Sequence, residues 1–203
     1  MKLFATTLLV TVCFALAANA QTNRQIQLQV GDVDVKSVET EVQKTPQFEA
    51  GGLKGKNIPN PRDWLEVEAE FEVKGPSGAA IPELIFRFYD GFKDQTGQAR
   101  VLTGDVTYTN VLVGEEMYSA VYVAPSTLGE ITGDFRRFQE SSIEAVGVEV
   151  IYNGVVVGGD SSVSGSNAKF WQAIGTMPGV LPKHETPFAL LWLDRYPEPK
   201  ISR

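Results

Sequence analysis

Polar and apolar residues alternate strictly between residues 64 and 73. The apolar residues are Leu65, Val67, Ala69, Phe71 and Val73, and the residues between them are Glu66, Glu68, Glu70 and Glu72. Successive side chains of a strand point to opposite faces, so the pattern predicts a strand with one apolar face and one solvated acidic face. The apolar face needs a covering layer, and the sequence therefore predicts an antiparallel β-sandwich.

Similar period-two segments recur along the chain and are separated by turn residues. We predict further strands at 26–35, 83–88, 100–113, 117–124, 143–152, 155–157 and 186–193. The alternation slips at Gly31-Asp32, which predicts a β-bulge, and Gly104-Asp105 leaves open whether 100–113 is one strand or two. Asn153-Gly154 lies between two β-rich segments and predicts a hairpin with a type I′ turn.

Glycine and proline mark the irregular parts of the chain. They predict long loops at 48–63 and 158–168 and short helical turns at 125–129 and 169–174. Pro197 and Pro199 are expected to end strand pairing after the last strand. The pattern predicts one domain over residues 21–203, with an all-β fold that has long loops and one or two short helical turns.

Residues 1–20 have the composition of a secretory signal peptide. Lys2 precedes an apolar run, and Ala18-Asn19-Ala20 supplies the small residues that a signal peptidase reads. We expect cleavage after Ala20, with an uncleaved anchor as the alternative. No later stretch reaches about 18 consecutive apolar residues, so no membrane span is expected after cleavage. The predicted location is periplasmic, outer-membrane-associated or extracellular.

Acidic residues outnumber basic ones, which restricts the expected partners. The chain has 18 lysines and arginines, 25 acidic residues and a formal charge of −7. Lys2 is the only charged residue of the predicted signal, so the mature domain is one unit more negative. Nucleic acid and anionic lipid surfaces require clustered cations, and neither is an expected partner.

Few residues have the chemistry of a catalytic or metal site. His184 is the single histidine, and its proline-flanked position predicts an exposed loop residue. No cysteine follows the predicted signal and no Gly-x-Ser-x-Gly motif is present, so no hydrolytic triad or zinc site is expected. Calcium at Asp32, Asp34 and Asp160 is the less favoured alternative, because an Asp-x-Asp-x-Asp-Gly loop is missing. We predict no catalytic, cofactor-binding or metal-binding residues, and no cofactor.

Two sets of residues have alternative interpretations. The glutamates at 66–72 have the spacing of paired glycosidase carboxylates, but nothing in a row of like charges raises the pKa of one above another, so we expect a solvated face. The aromatic residues are either core and end plugs, which we favour, or a platform for stacking sugars. They are Trp64, Trp171, Trp192, Tyr89, Tyr118, Tyr122 and Tyr196.

The C-terminal part of the chain resembles a known family. Phe170-Trp171, the segment Thr-Pro-Phe-Ala-Leu-Leu-Trp-Leu-Asp-Arg-Tyr-Pro at 186–197 and Gly-Val-Glu-Val-Ile-Tyr-Asn-Gly at 147–154 are similar to exported immunoglobulin-like proteins encoded in the type IV pilus-like gene clusters of Akkermansia and other verrucomicrobia. The resemblance implies an immunoglobulin-like sandwich related to archaeal type IV pilus-like proteins, an extracytoplasmic or outer-membrane setting and self-association. It transfers no site residue. The N-terminus lacks the hydrophobic mature helix of bacterial pilins, which favours an accessory or surface role.

The expected function is that of a non-enzymatic, exported structural or interaction protein in a pilus-associated or cell-surface assembly. Strand addition uses main-chain hydrogen bonds, and residues 25–38 form the expected sheet edge. The expected partners are further copies of the chain, as a dimer or trimer by exchange of terminal strands, and other cell-envelope or pilus-like proteins. The alternative is a carbohydrate-binding module that recognises mucin or other glycans.

Export is tested by the mass of the protein expressed in a Gram-negative host. Cleavage after Ala20 predicts a periplasmic or extracellular protein whose first residue is Gln21. Intact mass spectrometry measures this directly, and a cytoplasmic protein that retains Met1 would contradict the prediction.

Overall fold

The structure, a computed structural model, describes residues 26–48 and 58–201. The predicted signal peptide, its cleavage site and residues 49–57 of the predicted loop at 48–63 lie outside the described residues. Residues 58–62 are irregular and lead directly into the second strand. Within these two ranges, no helix combines the length and the apolar character that crossing a bilayer requires.

The described residues are mainly β-strand. The strands are β1 (Val33–Lys44), β2 (Asp63–Val73), β3 (Ala80–Lys93), β4 (Ala99–Leu112), β5 (Glu116–Val123), β6 (Ile143–Tyr152), β7 (Val155–Ser161), β8 (Thr176–Pro178), β9 (Val180–Pro182) and β10 (Glu198–Pro199). The helix α1 spans Pro125–Thr132, and short 3₁₀ turns lie at Glu140–Ser142, Gly165–Asn167, Phe170–Gln172, Lys183–Glu185 and Leu193–Arg195.

The strands form two sheets that pack face to face. The smaller sheet has the order β1-β2-β5-β9, and the larger has the order β10-β4-β3-β6-β7, with β8 paired parallel to β4. The other pairings are antiparallel. The predicted all-β sandwich is confirmed, and so are the strand at 64–73 and the hairpin at Asn153-Gly154, where φ is 48° and 80°.

The apolar face of β2 lies in the core between the sheets. Its residues Leu65, Val67, Ala69, Phe71 and Val73 are fully buried. The larger sheet covers them with aromatic residues of β3, and the rings of Phe71 and Phe86 are 4.6 Å apart. Burial of each of the four larger side chains contributes about 1.5–3 kcal/mol, so this interface contributes strongly to the stability of the fold.

The first strand begins later than predicted. Val30 and Gly31 form a turn in which Gly31 has a φ of 90°, and β1 starts at Val33. Pairing with β2 shifts between Val35 and Ser37, so the bulge lies there and not at Gly31-Asp32. The slip in alternation at Gly31 marks a turn, because glycine adopts positive φ without strain.

Two glycines lie inside strands, and β3 extends beyond the predicted segment at 83–88. β3 continues through Gly91 to Lys93, and β4 crosses Gly104-Asp105 without a break, which settles 100–113 as one strand. Gly104 is needed for packing, because a Cβ atom at this position would lie 2.3 Å from the carbonyl oxygen of Val180. Glycine in a strand often marks such a close approach of another backbone.

The predicted last strand at 186–193 is wrong. The N–H of Ala189 donates to Thr186 O and that of Leu191 donates to Phe188 O, which folds the segment into successive turns. Trp192 has a left-handed φ of 51°. Of the alternating apolar residues, Phe188 packs on the outer face of the smaller sheet, and Leu190 and Trp192 are exposed.

Residues 176–199, which we call the C-terminal strap, close one side of the sandwich. β8 and β10 pair with β4 of the larger sheet, and β9 pairs with β5 of the smaller sheet. The strap therefore connects the two sheets along one side of the sandwich. The expectation that Pro199 ends pairing is also wrong, because Pro199 lies opposite Tyr108. Proline is compatible with this place because β10 is an edge strand.

The contact between the strap and β4 is tested by Gly104→Ala. The added methyl group collides with Val180 O, so the free energy of unfolding should fall by about 1–3 kcal/mol. Gly175→Ala is the matched control, because a Cβ atom at Gly175 meets no atom within 4 Å. Chemical denaturation measures both variants, and equal stabilities would show that the strap does not press on β4.

Candidate interaction site at the open sheet edge

Strand β1 forms an edge of the smaller sheet. It has 12 residues and pairs with β2 on one side. On its other side, no strand among the described residues pairs with it. A long edge strand presents a row of backbone donors and acceptors to an incoming chain, so β1 is the candidate contact site. The predicted edge at 25–38 overlaps its first half.

The backbone direction along β1 follows from its register. The N–H of Thr45 donates to Arg62 O at 3.0 Å, and the pairing continues unbroken to Val38 opposite Ala69. Residues of an antiparallel pair alternate between facing the partner strand and facing away from it. Val38, Thr40 and Val42 therefore direct their N–H and C=O groups away from β2, towards the open side.

Two crevices follow the open side of β1. The first, of about 650 Å³, lies between residues 33–35 and the far edge strand β7. The second, of about 500 Å³, lies between residues 38–40 and the start of β6 at 143–146. Each crevice has β1 as one wall and the larger sheet as the other, so a strand that adds to β1 would also contact the larger sheet.

The segment before β1 is held on the larger sheet by a small number of contacts. Tyr152 donates its hydroxyl to Ile26 O at 2.7 Å, and the N–H of Gly31 donates to Val157 O at 2.8 Å. Leu28 is buried in the core. These contacts attach the terminal segment beside the first crevice, where Val33 also packs on Gly158 of β7.

The outer face of β1 and β2 is acidic. Three acids of β1 lie opposite acids of β2, in the pairs Asp34–Glu72, Glu39–Glu68 and Glu41–Glu66. Lys36 partly balances the charge near the bulge, with its Nζ 2.8 Å from Glu116 and 3.5 Å from Glu70. The hydrogen bond to Glu116 raises the pKa of Lys36 above its usual range.

The predicted solvated glutamate row is wrong at its first member. Glu66 is buried, accepts a hydrogen bond from the Tyr122 hydroxyl and accepts another from Gln43 Nε2 at 3.1 Å. Burial raises the pKa of Glu66, and these two hydrogen bonds act in the opposite direction. Burial and the bond to Glu66 raise the pKa of Tyr122.

The C-terminal strap covers this part of the outer face. Phe188 stacks on Tyr122 with ring centroids 4.4 Å apart, and Tyr196 donates to Glu68 Oε1 at 2.6 Å. Lys183 donates to Leu191 O and lies 4.8 Å from the centre of the Tyr196 ring. The strand pattern of β2 could not reveal this third layer, since the covering residues lie over 100 positions away in sequence.

The aromatic residues are mostly structural. Trp64 donates its indole N–H to Thr45 Oγ1 at 3.1 Å, and Trp171 stacks on Tyr89 at 4.3 Å and is 8% exposed. Neither ring offers the open face that a sugar platform needs. Trp192, at 51% exposure, is the exposed tryptophan of the described chain.

The other candidate residues lie apart. The His184 side chain is 24% exposed and borders a cavity of about 290 Å³ beneath the C-terminal strap, so the expected exposed loop residue is half-buried. Asp32 accepts a hydrogen bond from Gln29 N at 2.7 Å. No group of three or more metal-ligand side chains converges within residues 26–48 and 58–201.

Comparison with known proteins assigns the chain to a family. A family model matches residues 24–203. The chain belongs to that family. A crystal structure of a protein from Akkermansia muciniphila is similar, with 30% sequence identity, a TM-score of 0.75 and coverage of 88% of this chain and 100% of that chain. No curated protein matches. The chain is therefore an Akkermansia-type protein, as the resemblance implied.

This family member contains a buried acid that the sequence did not reveal. Asp90 of β3 shares the inward face of Phe88 and Phe92 and is fully buried. Neither of its carboxyl oxygens has a hydrogen-bond partner among the described residues. Burial raises the pKa of Asp90 from 3.8 to about 8, so the carboxyl is neutral at pH 7.

The buried acid predicts a pH-dependent stability. The unfolded chain releases the Asp90 proton near pH 3.8, whereas the folded protein keeps it up to about pH 8. The free energy of unfolding should therefore fall as pH rises through this window, by up to about 1.4 kcal/mol per pH unit. Asp90→Asn removes this contribution. The free energy of unfolding of the variant should therefore rise relative to that of the wild type from acid to neutral pH. Chemical denaturation at a series of pH values measures it, and parallel curves would contradict the prediction.

Proposed function

We propose that this Akkermansia-type protein is an exported, non-enzymatic interaction protein of a pilus-like or other cell-surface assembly. Membership of the family supports the setting, and the composition of residues 1–20 supports export. In this proposal the protein binds its partners through the open side of β1. The partners are further copies of the chain and other cell-envelope proteins.

The open edge of β1 is the observation that carries the proposal. Strand addition gains affinity from main-chain hydrogen bonds and specificity from alternate side chains. Val38, Thr40 and Val42 offer their backbone groups on the open side, and the second crevice beside them leaves space for a strand. The strap covers the opposite side of the sandwich, which leaves β1 as the long edge available to a partner.

Self-association follows from the same edge. Residues 26–32 are attached to their own domain by Leu28, by the Tyr152 hydroxyl and by hydrogen bonds of Gly31 and Asp32 to Val157 and Lys74. In this proposal the segment exchanges these contacts for pairing with β1 of a second copy. Gly31, with its positive φ, is the pivot that lets this segment leave its own sheet. We propose that the terminal segment of one copy lies along β1 of the next, giving dimers or trimers.

The non-enzymatic part of the proposal rests on how the polar groups are used. Glu66 and Glu68 are bound by Tyr122, Gln43, Tyr196 and Arg195. Asp90 is enclosed in the core, away from any substrate. Glu66 and Glu68 border a crevice of about 130 Å³ beside Arg195 and Tyr196. Their carboxylates are engaged in the hydrogen bonds above, whereas a reaction centre needs several available polar groups around one bound atom.

Thr40→Pro tests the role of the edge. Proline removes the outward N–H of residue 40 and keeps the bonds between β1 and β2, because the N–H of Thr40 does not face β2. Light scattering of residues 21–203 should give a dimer or trimer for the wild type and a monomer for Thr40→Pro. Thr40→Ala, which keeps the N–H, should retain the wild-type mass.

Two outcomes would contradict the proposal. Equal masses for wild type and Thr40→Pro, with both proteins folded by circular dichroism, would show that the edge of β1 makes no contact. A monomeric wild type at all concentrations would remove self-association from the proposal.

A further inference from the structure

We infer that the open edge of β1 selects a partner strand that carries lysine or arginine at alternate positions. The inference rests on the proposed function, because it names the chemistry of the strand that the edge accepts. It concerns the second half of the edge, residues 38–42, together with the crevice beside it.

The outward side chains of this half are acidic. Glu39 and Glu41 are exposed on β1, and each lies opposite another glutamate of β2, Glu68 or Glu66. Glu68 is paired with Arg195 at 2.9 Å, and burial raises the pKa of Glu66, so the exposed acids of this half are Glu39 and Glu41. Among the described residues, neither Glu39 nor Glu41 has a basic partner, since Lys36 pairs with Glu116 and Lys44 pairs with Asp63.

The opposite wall of the crevice adds further negative charge. Glu140 and Glu144 border it across from Glu39. Lys93 forms an ion pair with Glu144 at 2.7 Å. An incoming strand therefore has Glu39 on one side of the crevice and Glu140 on the other. Cationic side chains would give Glu39 and Glu41 the basic partners that they lack among the described residues, which gives such a strand an electrostatic advantage over a neutral one.

The inward side of the same half is apolar. Val38, Thr40 and Val42 face the core, and Ile143, Ala145 and Val146 lie across the crevice. Side chains of an added strand alternate between these two faces. The fitting strand therefore alternates cationic residues, next to Glu39 and Glu41, with small apolar residues that fill the crevice.

A second copy of the chain meets this requirement less well. The described part of its terminal segment has Gln27 and Gln29 between Ile26, Leu28 and Val30. These residues alternate correctly but bring no positive charge. The charge pattern therefore favours a basic strand of another protein over the terminal strand of a second copy.

Synthetic peptides as long as β1 test the inference. The probe is a fluorescent peptide of alternating lysine and valine, and the matched peptides replace every lysine with glutamine or with glutamate. We expect fluorescence anisotropy to show binding of the lysine peptide, binding of the glutamine peptide weaker by about tenfold or more, and no binding of the glutamate peptide. High salt should weaken the lysine peptide selectively, because the contacts are exposed.

Protein variants distinguish the charge preference from strand addition itself. The double change Glu39→Gln and Glu41→Gln should reduce the ratio of the affinities for the lysine and glutamine peptides by about tenfold. The control is Glu115→Gln, which changes an exposed acid in the turn before β5 and should leave this ratio unchanged. Thr40→Pro should abolish binding of both peptides.

Each result bears on one claim. Equal binding of the lysine and glutamine peptides, both lost in Thr40→Pro, would overturn the charge preference and leave the proposed function intact. Lysine-peptide binding that survives Thr40→Pro would place the contact elsewhere and overturn the inference. Failure of the lysine peptide to bind would also overturn it, while the light-scattering result decides the proposed function separately.

Discussion

The edges of the two sheets set the main constraint on this molecule. Every strand at an edge presents backbone N–H and C=O groups that must find partners in the chain, in solvent or in another protein. The C-terminal strap supplies partners on one side, where β8 and β10 pair with β4 and β9 pairs with β5. Gly104 permits this closure because the backbone of Val180 rests on it. The start of β1 packs against β7 in a similar way, since a Cβ atom at Gly158 would lie 2.3 Å from Val33 O. Within residues 26–48 and 58–201 no strand pairs with the rest of the outer edge of β1, and this asymmetry gives the fold its candidate function.

The sequence predicted the parts of the fold that depend on a single strand. Alternation along β2 and the Asn153-Gly154 turn depend on local geometry, and both were predicted correctly. The segment at 186–193 was misread because its apolar alternation does not reflect strand burial: Phe188 is buried, whereas Leu190 and Trp192 are exposed. Phe188 packs on the outer face of the smaller sheet, and the same third layer buries Glu66 in a row that otherwise resembled a solvated face.

The candidate site was only partly accessible to sequence reasoning. The polar start of the chain indicated an edge near residues 25–38, but the edge extends to Lys44. The acids that lie opposite one another on β1 and β2 depend on the pairing register, which shifts at the bulge between Val35 and Ser37. The burial of Asp90 could not be predicted from the sequence, because acids are common at the ends of strands. The extension of β3 to Lys93 places this residue in the core. Long-range pairing decided each of these features.

The account depends on β1 being open in the isolated domain and covered in the assembly, and amide hydrogen exchange resolved by residue measures this most directly. In the isolated domain, the amides of Glu39 and Glu41 should be protected by β2, while those of Val38, Thr40 and Val42 exchange fast. In the self-associated protein or with a bound basic strand, the latter amides should become protected. Protection of all five amides in the monomer, or fast exchange of the outward amides in the complex, would contradict the account.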